Sequence, residues 1–143
     1  METGAQLGLR IAAYAALAAL CLMSRTRPVE AAAVQQMADI KVFAFGGVGF
    51  AGATSSGEAE YRRILTSDRP ESDFTELFRR GNLEEKCYAL VGMQKVNPQK
   101  FRELSAPLRT EHAKVTTMGG CVMSSEPVSQ IIRSIEAGFY ANL

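Results

Sequence analysis

The chain has one histidine, three cysteines and no tryptophan among its 143 residues. So few soft ligands exclude most structural zinc sites, which take four Cys or His side chains. No excess of either charge is present: sixteen Lys and Arg face fifteen Asp and Glu. A nucleic-acid binder relying on bulk positive charge is therefore excluded. Apolar residues make up 47% of the chain, too many for a disordered polypeptide. Low-complexity tracts and long interdomain linkers are also missing, so the length corresponds to one domain's worth of sequence.

Only one long uncharged apolar run is present, from Ile11 to Met23, with Arg10 before it. A bilayer-spanning helix needs about 20 residues, and this run is shorter; it matches the apolar region of a secretory signal. Small residues at Val29-Glu30-Ala31 and Ala31-Ala32-Ala33 suit a signal peptidase. Residues 1–31 are accordingly expected to be a cleaved leader, and 32–143 a single exported domain. Arg25 and Arg27 support an uncleaved inner-membrane anchor as the alternative, Cys21 a lipidated cysteine disfavoured by the preceding Leu20, and the apolar pattern a buried N-terminal helix. Cleavage after Ala31 removes Arg10, Arg25 and Arg27 together with Glu2 and Glu30, which leaves the remainder without net charge. Roughly 110 residues then suffice for one modest core.

Helical signals dominate that remainder. Ser55 and Glu58 have capping-box spacing, followed by Tyr61, Ile64 and Leu65 at helical intervals. Pro70 opens a second helix carrying Phe74, Leu77 and Phe78, and Gly81 stops it. Asn82 and Glu85 form another capping box ahead of Cys87, Leu90, Val91 and Met93. The Asn97-Pro98 pair ends that helix and begins one with Phe101, Leu104 and Leu108. Finally Ser125 is expected to cap a helix with Pro127 early in it and a stripe of Val128, Ile131, Ile132 and Ile135, ended by Gly138. Lys41–Gly52 starts as a strand and runs into glycines, whereas Lys114–Ser124 reads as a small β-hairpin about Gly119-Gly120. The fold class is thus mainly α: a multi-helix bundle with one small β-hairpin or irregular segment.

Two resemblances attach to particular residues. Phe74–Arg109, with its Gly-Asn turn, Tyr88-Ala89-Leu90 helix and Asn97-Pro98 break, resembles one HEAT-like helical hairpin, a unit of repeat scaffolds that bind other proteins. Gly46–Gly52, Thr54-Ser55, Gly57-Glu58, Tyr88-Ala89-Leu90 and Thr117–Cys121 are similar to a family of small uncharacterised exported bacterial proteins. That second resemblance implies export and a single domain, and carries no catalytic site.

Four features bear on chemistry. Gly47, Gly49 and Gly52 match G-x-G-x-x-G, which in a dinucleotide fold follows a strand and opens a helix. The competing and favoured reading is a glycine-rich turn packed against helices. Cys87 and Cys121 are expected to form a disulfide in an oxidising compartment; buried free thiols come second, and Cys121 as a nucleophile with His112 as base third. Glu58, Glu60, Glu84, Glu85 and Glu111 single out no acid–base pair and no metal set, because Glu58 and Glu85 are capping residues and the rest suit solvated faces. Arg62-Arg63 and Arg79-Arg80 fall in last helical turns, where cations complement the helix dipole. The resulting expectation is a non-catalytic interaction or binding module, periplasmic or secreted, without cofactor, metal or nucleic acid. Its rivals are a thiol-dependent hydrolase using Cys121 and His112, and a nucleotide binder using Gly47–Gly52.

Overall fold

The computed structural model describes residues 40–143; the leader expected over residues 1–31 and its Cys21 lie outside the described residues. Two short strands, β1 (Gly47–Val48) and β2 (Ala53–Thr54), pair antiparallel and lead into α1 (Ser56–Leu65). The helices α2 (Pro70–Arg80), α3 (Leu83–Val96) and α4 (Pro98–Ser105) follow, then a 3-10 turn (Pro107–Thr110). A hairpin of β3 (Lys114–Gly119) and β4 (Val122–Pro127) precedes the last helix, α5 (Val128–Glu136). The described chain is mainly α-helical, as the periodicity predicts; of its two small antiparallel sheets, β3–β4 is the expected hairpin, whereas β1–β2 forms where only a strand running into glycines is expected.

Helix α3 is the centre of the core. Asn82 and Glu85 form the complete capping box at its start, and Cys87–Met93 is buried without interruption. Such all-round burial occurs when a helix is covered by neighbours on several sides. Phe74 and Leu77 of α2, Tyr61 and Ile64 of α1, Phe101 of α4 and the Val128, Ile131, Ile132, Ile135 stripe of α5 belong to the same apolar cluster. Two glycines set the close approaches. A Cβ on Gly92 would lie 2.2 Å from the Phe74 ring, and one on Gly57 would lie 2.4 Å from the Tyr88 ring. Neither glycine has positive φ; each is required by the aromatic ring that occupies the space of its missing side chain.

The helix boundaries follow the capping chemistry except at Ser125 and at Leu108, which falls in the 3-10 turn behind Pro107 after α4 ends at Ser105. Ser55 Oγ accepts from the Glu58 N–H at 3.0 Å, so the expected cap forms. The Ser125 cap does not. Ser125 is paired with Thr116 within the β3–β4 ladder, and α5 begins at Val128 behind Pro127 with no side-chain cap. Strand pairing has taken the serine, and the Val128 N–H finds the Ala113 carbonyl at 3.0 Å instead. Gly138, at φ +79°, closes α5 as expected.

Candidate functional site

The segment from Ile40 to Gly46 is pinned along its length by residues of the helices and their caps. Asn82 Nδ2 donates to the Ile40 carbonyl at 2.7 Å. The Tyr88 hydroxyl accepts from the Ala44 N–H at 2.9 Å and lies 2.8 Å from the Ala44 carbonyl. Ser55 Oγ donates to that carbonyl at 2.9 Å, and the Gly46 N–H donates to Glu58 Oε2 at 2.7 Å. Phe43 and Phe45 alternate with these bonds and pack edge-on against Tyr88. Burial raises the pKa of the Tyr88 phenol above its ordinary value.

This segment runs beside β3 and closes its outer edge. Phe43 donates to the Thr116 carbonyl (2.8 Å) and accepts from the Met118 N–H (3.2 Å). The Thr116 N–H goes to Glu84 Oε1 at 3.0 Å, and the Gly49 N–H to the Gly120 carbonyl at 2.8 Å. Glu84, expected on a solvated face, therefore serves as a strand-edge acceptor. Glu58 caps less than expected: its carboxylate reaches Gly46 and Arg62 rather than the Ser55 backbone. Arg62, Arg63, Arg79 and Arg80 are ion-paired to Glu58, Glu60 and Glu76, which accounts for both basic doublets.

The glycine motif resolves into a hairpin. Gly49 and Gly52, at φ +70° and +62°, bracket the loop between β1 and β2. Both sheets of the described residues are two-stranded and antiparallel, so no βαβ unit surrounds the motif there. Phe50 stands at the loop tip with 103% relative exposure.

The expected Cys87–Cys121 disulfide is not formed; both thiols are free and they are not close. Cys87 is wholly buried in α3, where desolvation and nearby Glu84 push its thiol pKa up. Cys121 occupies the exposed β3–β4 turn. The bond is prevented because the hairpin carries Cys121 out to its tip while α3 holds Cys87 in the core. His112 is exposed just before β3 and Cys121 follows its far end. A six-residue strand, about 20 Å long, separates them, and the dyad required for a thiol nucleophile is not assembled. Among the described residues no group of three His, Cys, Asp or Glu is arranged to hold a metal ion. Nor is any described helix long and apolar enough to cross a membrane.

What the structure does bring together is an exposed apolar end. The Gly49–Gly120 hydrogen bond ties the tip of the first hairpin to the turn of the second. Phe50 is thereby placed beside a turn that leads into Val122 and Met123, which are 68% and 60% exposed. Sequence reading located the β3–β4 hairpin, took Lys41–Gly52 only as a strand running into glycines, and missed this surface. Its signal was the apolar pair directly after Gly119-Gly120-Cys121, with no charged residue before Glu126. No protein-family model matches the chain, and no curated protein is significantly similar to it.

Proposed function

We propose that this chain is an exported, non-catalytic protein-interaction module that recognises its partner through the joined tips of its two hairpins. The observation that carries the reading is the exposure of Phe50 at the tip of the first hairpin and of Val122 and Met123 at the start of β4, the two tips being tied by the Gly49–Gly120 hydrogen bond. Val122 and Met123, successive in a strand, face opposite sides of the hairpin, so the joined tips carry exposed apolar groups on both sides, and apolar surface gathered at one end of a fold is a feature of interaction sites. The neighbouring polar groups favour binding over chemistry: Ser55, Glu58, Glu84 and Tyr88 spend their hydrogen bonds on the 40–46 segment and on β3. In this reading α2, α3 and α4 act as a HEAT-like support, and residues 1–31 direct the chain to the periplasm or beyond.

A photo-cross-linking amino acid at position 50 tests the proposal in native cells, with position 79 on α2 as control. A discrete adduct from position 50 and none from position 79 is expected. Equal labelling from both, or none from either, overturns the reading. Intact mass of the recovered protein tests export: loss of residues 1–31 is expected, and a full-length mass contradicts a cleaved leader.

A further inference from the structure

The two edges of the β3–β4 hairpin differ in a way that specifies a partner. In an antiparallel ladder, hydrogen-bonded and non-hydrogen-bonded pairs alternate. Gly119 and Val122 flank the two-residue Gly120-Cys121 turn, with positive φ at Gly120 only, a pattern in which the flanking pair is hydrogen-bonded. Val122, Ser124 and Glu126 then point their main-chain groups toward β3, a parity continued by the Val128 N–H to Ala113 bond. Met123 and Ser125 point theirs away. β4 has β3 as its only strand neighbour among the described residues, so those N–H and C=O groups form an open edge. Val122 to Ser125 is exposed and carries no charge, proline or bulge, the devices that normally blunt an edge.

We infer that β4 pairs antiparallel with β4 of a second copy of this chain, centred on Ser124. This inference rests on the interaction-module reading and names one partner for it. The register follows from self-complementarity. With Ser124 opposite Ser124 of the second copy, Met123 faces Ser125 of the second copy twice, once on each side of the two-fold axis. Each of these pairs exchanges two main-chain hydrogen bonds, and all outward groups of Met123 and Ser125 are satisfied. Sliding the strands to place Ser125 opposite Ser125 brings Met123 against Pro127, which has no N–H to give. Charge agrees with the centred register, because each Glu126 faces Val122 rather than another carboxylate. The result is a continuous sheet in the order β3–β4–β4–β3. A strand pair of this length buries much less than the 1,200 Å² or so of a standard stable interface, so the association is weak and reversible.

Analytical ultracentrifugation of the full chain over a wide concentration range tests this, comparing the native sequence with Ser125→Pro. The Ser125 N–H faces away from β3, so proline there spares the internal ladder, and an edge strand accepts it on that side. The native chain is expected to enter a monomer–dimer equilibrium. S125P, which loses two symmetry-related hydrogen bonds, is expected to weaken it by about tenfold or more, with an unchanged circular dichroism spectrum. A second variant covers the case in which S125P fails to fold. Ser124→Cys in a C21S/C121S background is expected to cross-link to a dimer on mild oxidation, since cysteines opposite each other in a non-hydrogen-bonded pair are close. The native Cys121 side chains, about 20 Å apart in this register, are expected not to cross-link. A native chain that stays monomeric, a folded S125P that dimerises equally well, or an S124C that fails to cross-link overturns the pairing. A native chain that stays monomeric while position 50 yields an adduct with a different protein overturns this inference and leaves the module reading standing.

Discussion

The hairpin β3–β4 has one edge that is finished and one that is not, and the contrast shows where the fold ends and the surface begins. Along β3, the 40–46 segment, Glu84 and Gly49 take up Thr116, Met118 and Gly120. Along β4, Met123 and Ser125 have no strand beyond them among the described residues. The closed edge is backed by α3, whose Tyr88 and Glu84 reach the segment and the strand from consecutive turns of one helix. Disturbing the closed side is expected to cost stability, and disturbing the open side to cost association.

The largest effect is expected where α3 itself is displaced. Gly92→Val forces a side chain into the space of the Phe74 ring and is expected to destabilise the domain by about 3 kcal/mol or more, read as a fall in the urea midpoint. Next comes Tyr88→Phe. It leaves the buried Ala44 N–H without its acceptor, an expected loss of about 1–3 kcal/mol. The neighbouring Tyr61 provides the control. Its hydroxyl is buried with no hydrogen-bond partner among the described residues, so Tyr61→Phe is expected to be neutral or stabilising in the same titration. A Tyr61→Phe loss as large as that of Tyr88→Phe contradicts the assignment of Tyr88 as the strand anchor.

A smaller, pH-dependent effect is expected at the Arg109–Glu136 pair, which ties the 3-10 turn to α5. The Arg109 hydrogen bond lowers the Glu136 pKa in the folded state. The pair therefore stabilises above the ordinary glutamate pKa, and its contribution is lost as pH falls through the lowered folded value. Arg109→Ala is expected to lower Tm at neutral pH, with the difference from the native chain disappearing in acid. Smallest is Phe50→Ser at the exposed tip of the first hairpin, expected to change stability by no more than about 0.5 kcal/mol. A large fall in Tm on that substitution contradicts a surface role for Phe50.

Local chemistry made most of the helical framework legible in the sequence. The Asn82–Glu85 box, the Pro70 and Pro98 helix starts and the isoleucine stripe of α5 each act within a few residues of themselves. Ser125 misled because a serine near the start of an apolar stripe suits a cap, and only long-range pairing with Thr116 makes it a strand residue. Glu84 and Glu58 misled for the same reason, since their partners Thr116 and Gly46 are remote in sequence. The disulfide expectation rested on compartment and count, with no spatial term. Its failure is geometric: a helix centre and a hairpin turn hold the two thiols apart. The exposed end was illegible because the two hairpin tips are joined by the Gly49–Gly120 bond, between residues remote in sequence.

Amide hydrogen exchange of the full chain, followed residue by residue at two protein concentrations, tests the central contrast most directly. Thr116 and Met118 are expected to be protected at both concentrations, as befits a closed edge. Met123 and Ser125 are expected to exchange freely in dilute solution and to gain protection as the concentration rises. Protection of Met123 and Ser125 at high dilution, or rapid exchange of Thr116 and Met118, contradicts the account.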